Sequence, residues 1–142
     1  ELGLPARAAP SAEVAIRERD VVVLATSSGV PVVDPAWLSP GTSVTTLGPK
    51  QRGRSEFGAA LADRAGLLVT DSLDQVAGYD PPFVLAGTPA AGRLRSLGAL
   101  LAGDVTTPSD PATIRMYCSV GLAGTEPALL AAVLAGARPT DG

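Results

Sequence analysis

Apolar and polar positions along the chain fall into short blocks that read alternately as strands and helices. Asp20-Val21-Val22-Val23-Leu24-Ala25-Thr26 is a continuous, largely β-branched run, the pattern of a strand buried on both faces of a parallel sheet. Ser43–Leu47 predicts a second strand, Leu67–Thr70 a third and Thr113–Tyr117 a fourth. Of these, Val21–Ala25, Val44–Leu47 and Leu67–Val69 are expected to be the buried central strands. Ala12–Arg19, Glu56–Arg64, Leu94–Leu101 and Glu126–Ala137 read as helices. Ser11 stands at the natural N-cap of the first, Glu13 in its first turn, and Pro127 in the first turn of the last. Between Ala77 and Gly92, Pro81, Pro82 and Pro89 predict an irregular segment with little helix.

Strands separated by helices of this length imply βαβ units. The expected fold class is therefore α/β, a Rossmann-like parallel sheet with helices on both faces. Ligands of such sheets collect at the carboxyl ends of the strands. Three stretches qualify, each just after a predicted strand and each open to a plainer reading. Ala25-Thr26-Ser27-Ser28 can bond a flat polar ligand or simply form a hydroxyl-rich turn. Leu47-Gly48-Pro49 leads into a loop carrying Lys50, Arg52 and Arg54, suited to a phosphate or carboxylate, or else merely solvated. Ser119-Val120-Gly121-Leu122-Ala123 presents free backbone N–H groups at a helix start, an anion or carbonyl site or an ordinary cap.

Composition narrows the chemistry. With no histidine and one cysteine, the chain has no ligand set for the usual His/Cys transition-metal site. Cys118 has no histidine to activate it, and it reads as a small apolar filler. Net charge is −3 and the basic residues are scattered, so no stripe for nucleic acid is present. No apolar run reaches the ~18 residues of a membrane span; the longest, Pro127–Ala137, reads as a helix packed inside a protein. A lone cysteine and an opening Glu1-Leu2-Gly3-Leu4-Pro5 without a basic start fit a cytoplasmic protein. The 142 residues make one domain.

The ordered set Asp20–Ser28, Pro31-Val32-Val33, Trp37–Gly41, Leu47-Gly48, Arg54-Ser55-Glu56 and Ser119–Ala123 resembles the ornithine cyclodeaminase/mu-crystallin family, from about Val14 to Ala137. The resemblance implies a dinucleotide-binding domain for NAD or NADP, with hydride exchanged between the nicotinamide and the α-carbon of an amino acid or imine. A second domain would hold this small-molecule substrate and make a homodimer of the intact protein. By the same resemblance Ala25, Thr26, Ser27 and Ser28 line the cofactor. Leu47 and Gly48 lie near the nicotinamide, Arg54 contacts the cofactor, and Ser119 and Val120 sit where cofactor meets substrate.

Two departures shape the expectation. The cyclodeaminases carry an aspartate for proton transfer at the position of Lys50. Lysine can hold a carboxylate or donate a proton but cannot act as a carboxylate base. Lys50 is thus the candidate catalytic residue, and imine reduction or amino-acid oxidation is favoured over cyclisation. No G-x-G-x-x-G occurs in residues 1–142, although that loop cradles the pyrophosphate in such domains. Residues 1–142 are accordingly expected to be a partial dinucleotide-binding domain, incomplete at its N-terminal side and inactive alone. They are a piece of a longer chain, or else a split or degenerate member. The other reading is a non-catalytic binding or partner module that retains the fold.

Overall fold

The computed structural model describes residues 5–122 and 124–136. In chain order the elements are α1 (Ala12–Ile16), β1 (Val21–Leu24), β2 (Ser43–Thr46), β3 (Lys50–Gln51), β4 (Arg54–Ser55), α2 (Ala59–Arg64), β5 (Leu67–Thr70), α3 (Leu73–Ala77), β6 (Leu94–Ser96), α4 (Leu97–Ala102), β7 (Arg115–Cys118) and α5 (Thr125–Gly136). Five strands form one sheet in the order β1-β2-β7-β5-β6, and β3 and β4 form a separate hairpin. Every pairing in the large sheet is parallel. The architecture is the Rossmann-like α/β sheet that the sequence pattern implies.

Register explains the packing. Val22, Val44, Met116, Leu68 and Leu94 are successive partners across the sheet, and all five are buried. Phe57, Leu61, Phe83 and Leu85 join them in one core cluster, with the Phe57 and Phe83 rings edge to face at 6.3 Å. Burying side chains of this size contributes roughly 1.5–3 kcal/mol each. Two residues further along, the row on the same face becomes Leu24, Thr46, Cys118, Thr70 and Ser96. The core therefore becomes more polar at the carboxyl ends of its strands, through Thr46, Thr70 and Ser96.

Several expectations are corrected. β1 is an edge strand among the described residues, and its exposure alternates, with Val21 63% and Val23 56% exposed. The described elements cover only the face of β1 that carries Val22 and Leu24. The first helix stops at Ile16, because Arg17 is extended and Glu18 has φ 60. Its Ser11 cap forms as expected, accepting from the Val14 amide. The segment read as a helix from Leu94 opens with the short strand β6 before α4. The final helix is exposed along its described length, Leu129, Leu130, Val133 and Leu134 included, so it is not packed inside this unit. Ala137 lies outside the described residues. No described helix is long and apolar enough to cross a membrane.

Candidate functional site

The carboxyl ends of β1 and β2 are tied together by a carboxylate. The sequence pattern starts a helix at Glu56, but α2 begins only at Ala59. Ser55 prevents the earlier start: its hydroxyl donates to the Phe57 carbonyl and accepts from the Phe57 amide. This local turn sends Glu56 inward, where it is fully buried. Its Oε2 accepts from the Thr26 amide and the Thr26 hydroxyl, both at 2.9 Å, and its Oε1 accepts from the Gly48 amide at 2.6 Å. A buried carboxylate is tolerable when donors saturate it, and here they come from the second residue beyond each of two neighbouring strands. Around this bridge Ala25, Thr26 and Ser27 are exposed, Ser28 and Gly48 are half-buried, and Leu47 is 52% exposed. The result is a surface shelf of Ala25, Thr26, Leu47 and Gly48 beside the hydroxyls of Ser27 and Ser28.

The basic loop resolves into three separate fates. β3 and β4 pair as a tight hairpin whose turn places Gly53 at φ +82, a conformation that favours glycine. Arg52 is structural: its guanidinium donates to the Ala86 carbonyl at 2.8 Å and its amide to the Pro82 carbonyl. Arg54 is exposed beside Gly29. Lys50 is buried, its amine 3.4 Å from the Leu47 carbonyl. Desolvation pushes the Lys50 pKa below the ordinary lysine value, against the opposing pull of Glu56, Cys118 and Asp71.

The other half of the edge is organised by Asp71, which directly follows β5. Its carboxylate accepts from the amides of Val120, Gly121 and Leu122 at 2.8, 3.1 and 3.3 Å, and from the hydroxyls of Ser119 and Thr70. The N–H groups expected to be free for a ligand are thus already occupied. Burial works to raise the Asp71 pKa, but the backbone bonds from Val120 and Leu122 and the Ser119 hydroxyl outweigh it, and the pKa is lowered. Gln75 secures the same loop by donating to the Gly121 carbonyl at 3.1 Å. Beside Asp71 lies an open cleft of about 350 Å³, lined by Ser96, Leu97, Tyr117, Ser119 and Leu122 among others. Cys118 is fully buried between the two halves, and burial drives its thiol pKa up to about 12. The adjacent Thr46 hydroxyl is buried without a hydrogen bond of acceptable geometry.

All ten expected site residues therefore lie at or just beyond one sheet edge, but they do not form one open pocket. Ala25–Ser28, Leu47, Gly48 and Lys50 gather around the Glu56 bridge, with Arg54 on the outer hairpin. Ser119 and Val120 belong to the Asp71 loop, whose Ala123 lies outside the described residues. Glu56 and Asp71 were missed as site residues. Their one sequence signal is placement: Asp71 ends a buried parallel strand, and Glu56 is the lone acid in Arg54-Ser55-Glu56.

A family model described as the ornithine cyclodeaminase/mu-crystallin family matches residues 1–138. None of the curated proteins searched matches the chain. Among solved structures, an archaeal alanine dehydrogenase dimer with bound NAD is 28% identical with a TM-score of 0.68, over 84% of this chain and 38% of that one. The probable ornithine cyclodeaminase from Bordetella pertussis Tohama I is 27% identical with a TM-score of 0.71, over 84% of this chain and 39% of that one. The iminosuccinate reductase of Paracoccus denitrificans in complex with NAD+ is 26% identical with a TM-score of 0.66, over 83% of this chain and 37% of that one. The chain thus spans well under half the length of these similar structures.

Proposed function

Because this chain belongs to the ornithine cyclodeaminase/mu-crystallin family, we propose that it is part of an NAD(P)-dependent oxidoreductase acting on an imine or amino acid. The observation that carries the reading is the shelf of Ala25, Thr26, Leu47 and Gly48 at the carboxyl edge of a parallel sheet, above the buried amine of Lys50. In this architecture that edge is where dinucleotides bind. Similar structures that carry NAD include an alanine dehydrogenase and an iminosuccinate reductase.

In this reading a bound nicotinamide supplies or accepts the hydride. Ala25, Thr26, Ser27, Ser28, Leu47 and Gly48 hold its ring against the strand ends. Arg54 reaches for a phosphate or carboxylate from the outer hairpin. Lys50 holds a proton at Nζ for the substrate nitrogen as the imine carbon is reduced. Desolvation moves its pKa downward, the direction that eases proton donation. Ser119 and Val120 border the substrate, and Asp71 keeps their loop in place. A lysine where a carboxylate base would stand favours imine reduction or simple amino-acid oxidation over cyclisation. We further assign the intact protein to the cytoplasm and to a homodimer, on the lone buried cysteine and the dimeric alanine dehydrogenase it resembles.

The test is a screen of the intact protein with NADH and NADPH against cyclic and open-chain α-imino acids, followed at the nicotinamide absorbance. Cofactor oxidation that depends on the imine supports the reading. Cofactor binding without turnover on any of them would favour a non-catalytic binding module instead.

A further inference from the structure

We propose that Glu56 is a positioning residue: its carboxylate bridge from Thr26 to Gly48 sets the spacing of the two strand-end loops that form the cofactor shelf. The inference rests on the proposed cofactor reading, but the bridge itself is a matter of geometry. β1 and β2 end their paired register at Leu24 and Thr46, and one further ladder bond joins the Leu47 amide to the Leu24 carbonyl at 2.7 Å. Past that bond the strands would be free to splay. The Glu56 carboxylate instead takes three donors from the two diverging chains, within a fully buried position. The Glu56 backbone is fixed from both sides as well, its amide bonded to the Pro49 carbonyl and its carbonyl to the Val32 amide. The bridge is therefore held by the structure and is no chance contact of a mobile side chain.

Glu56 also acts through space on the buried Lys50. The titratable groups around the Lys50 amine are Glu56, Cys118 and Asp71, and of these Glu56 opposes the effect of burial most strongly. One carboxylate thus ties the two loops together and contributes to the field at the Lys50 amine. A side chain with a purely structural role would influence stability and neither of these.

The decisive variant is Glu56→Gln, which keeps the size but offers an amide where three donors converge. Three readouts separate the outcomes. Hydrogen exchange at the Thr26 and Gly48 amides should quicken at least tenfold relative to the core strands. The dissociation constant for NADH, measured by titration calorimetry on the intact protein, should rise at least tenfold. The alkaline limb of the pH–rate profile should move to lower pH as Lys50 loses its partner. Unchanged exchange at both amides, or altered stability with unchanged NADH affinity and pH profile, overturns the proposal. Wild-type protein that binds no NADH overturns the cofactor reading, while the exchange result still decides whether Glu56 holds the two loops. Should Glu56→Gln fail to fold, Thr26→Val removes only the hydroxyl arm. It should raise the NADH dissociation constant severalfold, and wild-type affinity in that variant counts against the bridge.

Discussion

A Cβ built on Gly48 would stand 2.3 Å from the Glu56 Oε2 atom and 2.3 Å from the Thr26 carbonyl oxygen. Neither neighbour can yield cheaply, since one is backbone and the other a buried carboxylate held by three donors. Gly48→Ala should therefore destabilise the fold by about 1–3 kcal/mol, the usual cost of overpacking. Urea unfolding measures it, and an unchanged midpoint would show that the strand ends are looser than described.

Strands were legible where continuous apolar runs rich in β-branched residues, such as Val21–Leu24 and Leu67–Thr70, carry their own signal. β6 was not, because Leu94-Arg95-Ser96 offers one buried apolar residue and runs straight into the helical Leu97–Ala102. The carboxyl edge where the expected residues lie was legible from the alternation of strands and helices alone. The chemistry of that edge was less so. Arg52 looked like a ligand because its carbonyl partner lies 34 residues away. Glu56 looked like a helix start because its donor Thr26 lies 30 residues away. Local composition does not announce such partners; only the fold brings them together.

Asp71 should make the protein sensitive to acid. Its folded pKa is depressed, so its stabilising contribution is present above the unfolded value, about 3.9. That contribution is lost as pH falls through the lower folded value. Asp71→Asn should cost roughly 1–3 kcal/mol at neutral pH, as bonds to a charged acceptor are weakened. It should also flatten the acid limb of stability against pH. Denaturant midpoints of both proteins at neutral and acid pH check this, and two parallel curves would remove Asp71 from the account.

Cys118 should be silent toward thiol reagents while the protein is folded. It is fully buried and its pKa is pushed up to about 12, so almost no thiolate is present near neutrality. Labelling with a chromogenic disulfide should be slow in native protein and stoichiometric after denaturation, at a rate set by opening of the fold. Immediate stoichiometric labelling of native protein would contradict the burial described.

Lys50 and Arg54 sit on the same hairpin but should fail differently. Lys50 is buried beneath the shelf, with its pKa lowered mainly by desolvation. As a proton donor it is active below its own pKa and silent above it, so the alkaline limb of turnover should lie below the ordinary lysine value of about 10.4. Lys50→Ala should lower turnover and abolish that limb. Lys50→Met keeps the length of the side chain without the charge, and it should do the same with less loss of stability. Arg54 is exposed, and in the proposed reading it acts only when a charged partner arrives. Arg54→Ala should leave the fold within about 0.5 kcal/mol of wild type. It should weaken cofactor binding by roughly 1–3 kcal/mol, the worth of a charged hydrogen bond. Steady-state kinetics and cofactor titration on the intact protein separate the two effects. Wild-type turnover in Lys50→Met would remove Lys50 from the chemistry, and wild-type cofactor affinity in Arg54→Ala would leave that arginine an ordinary solvated residue.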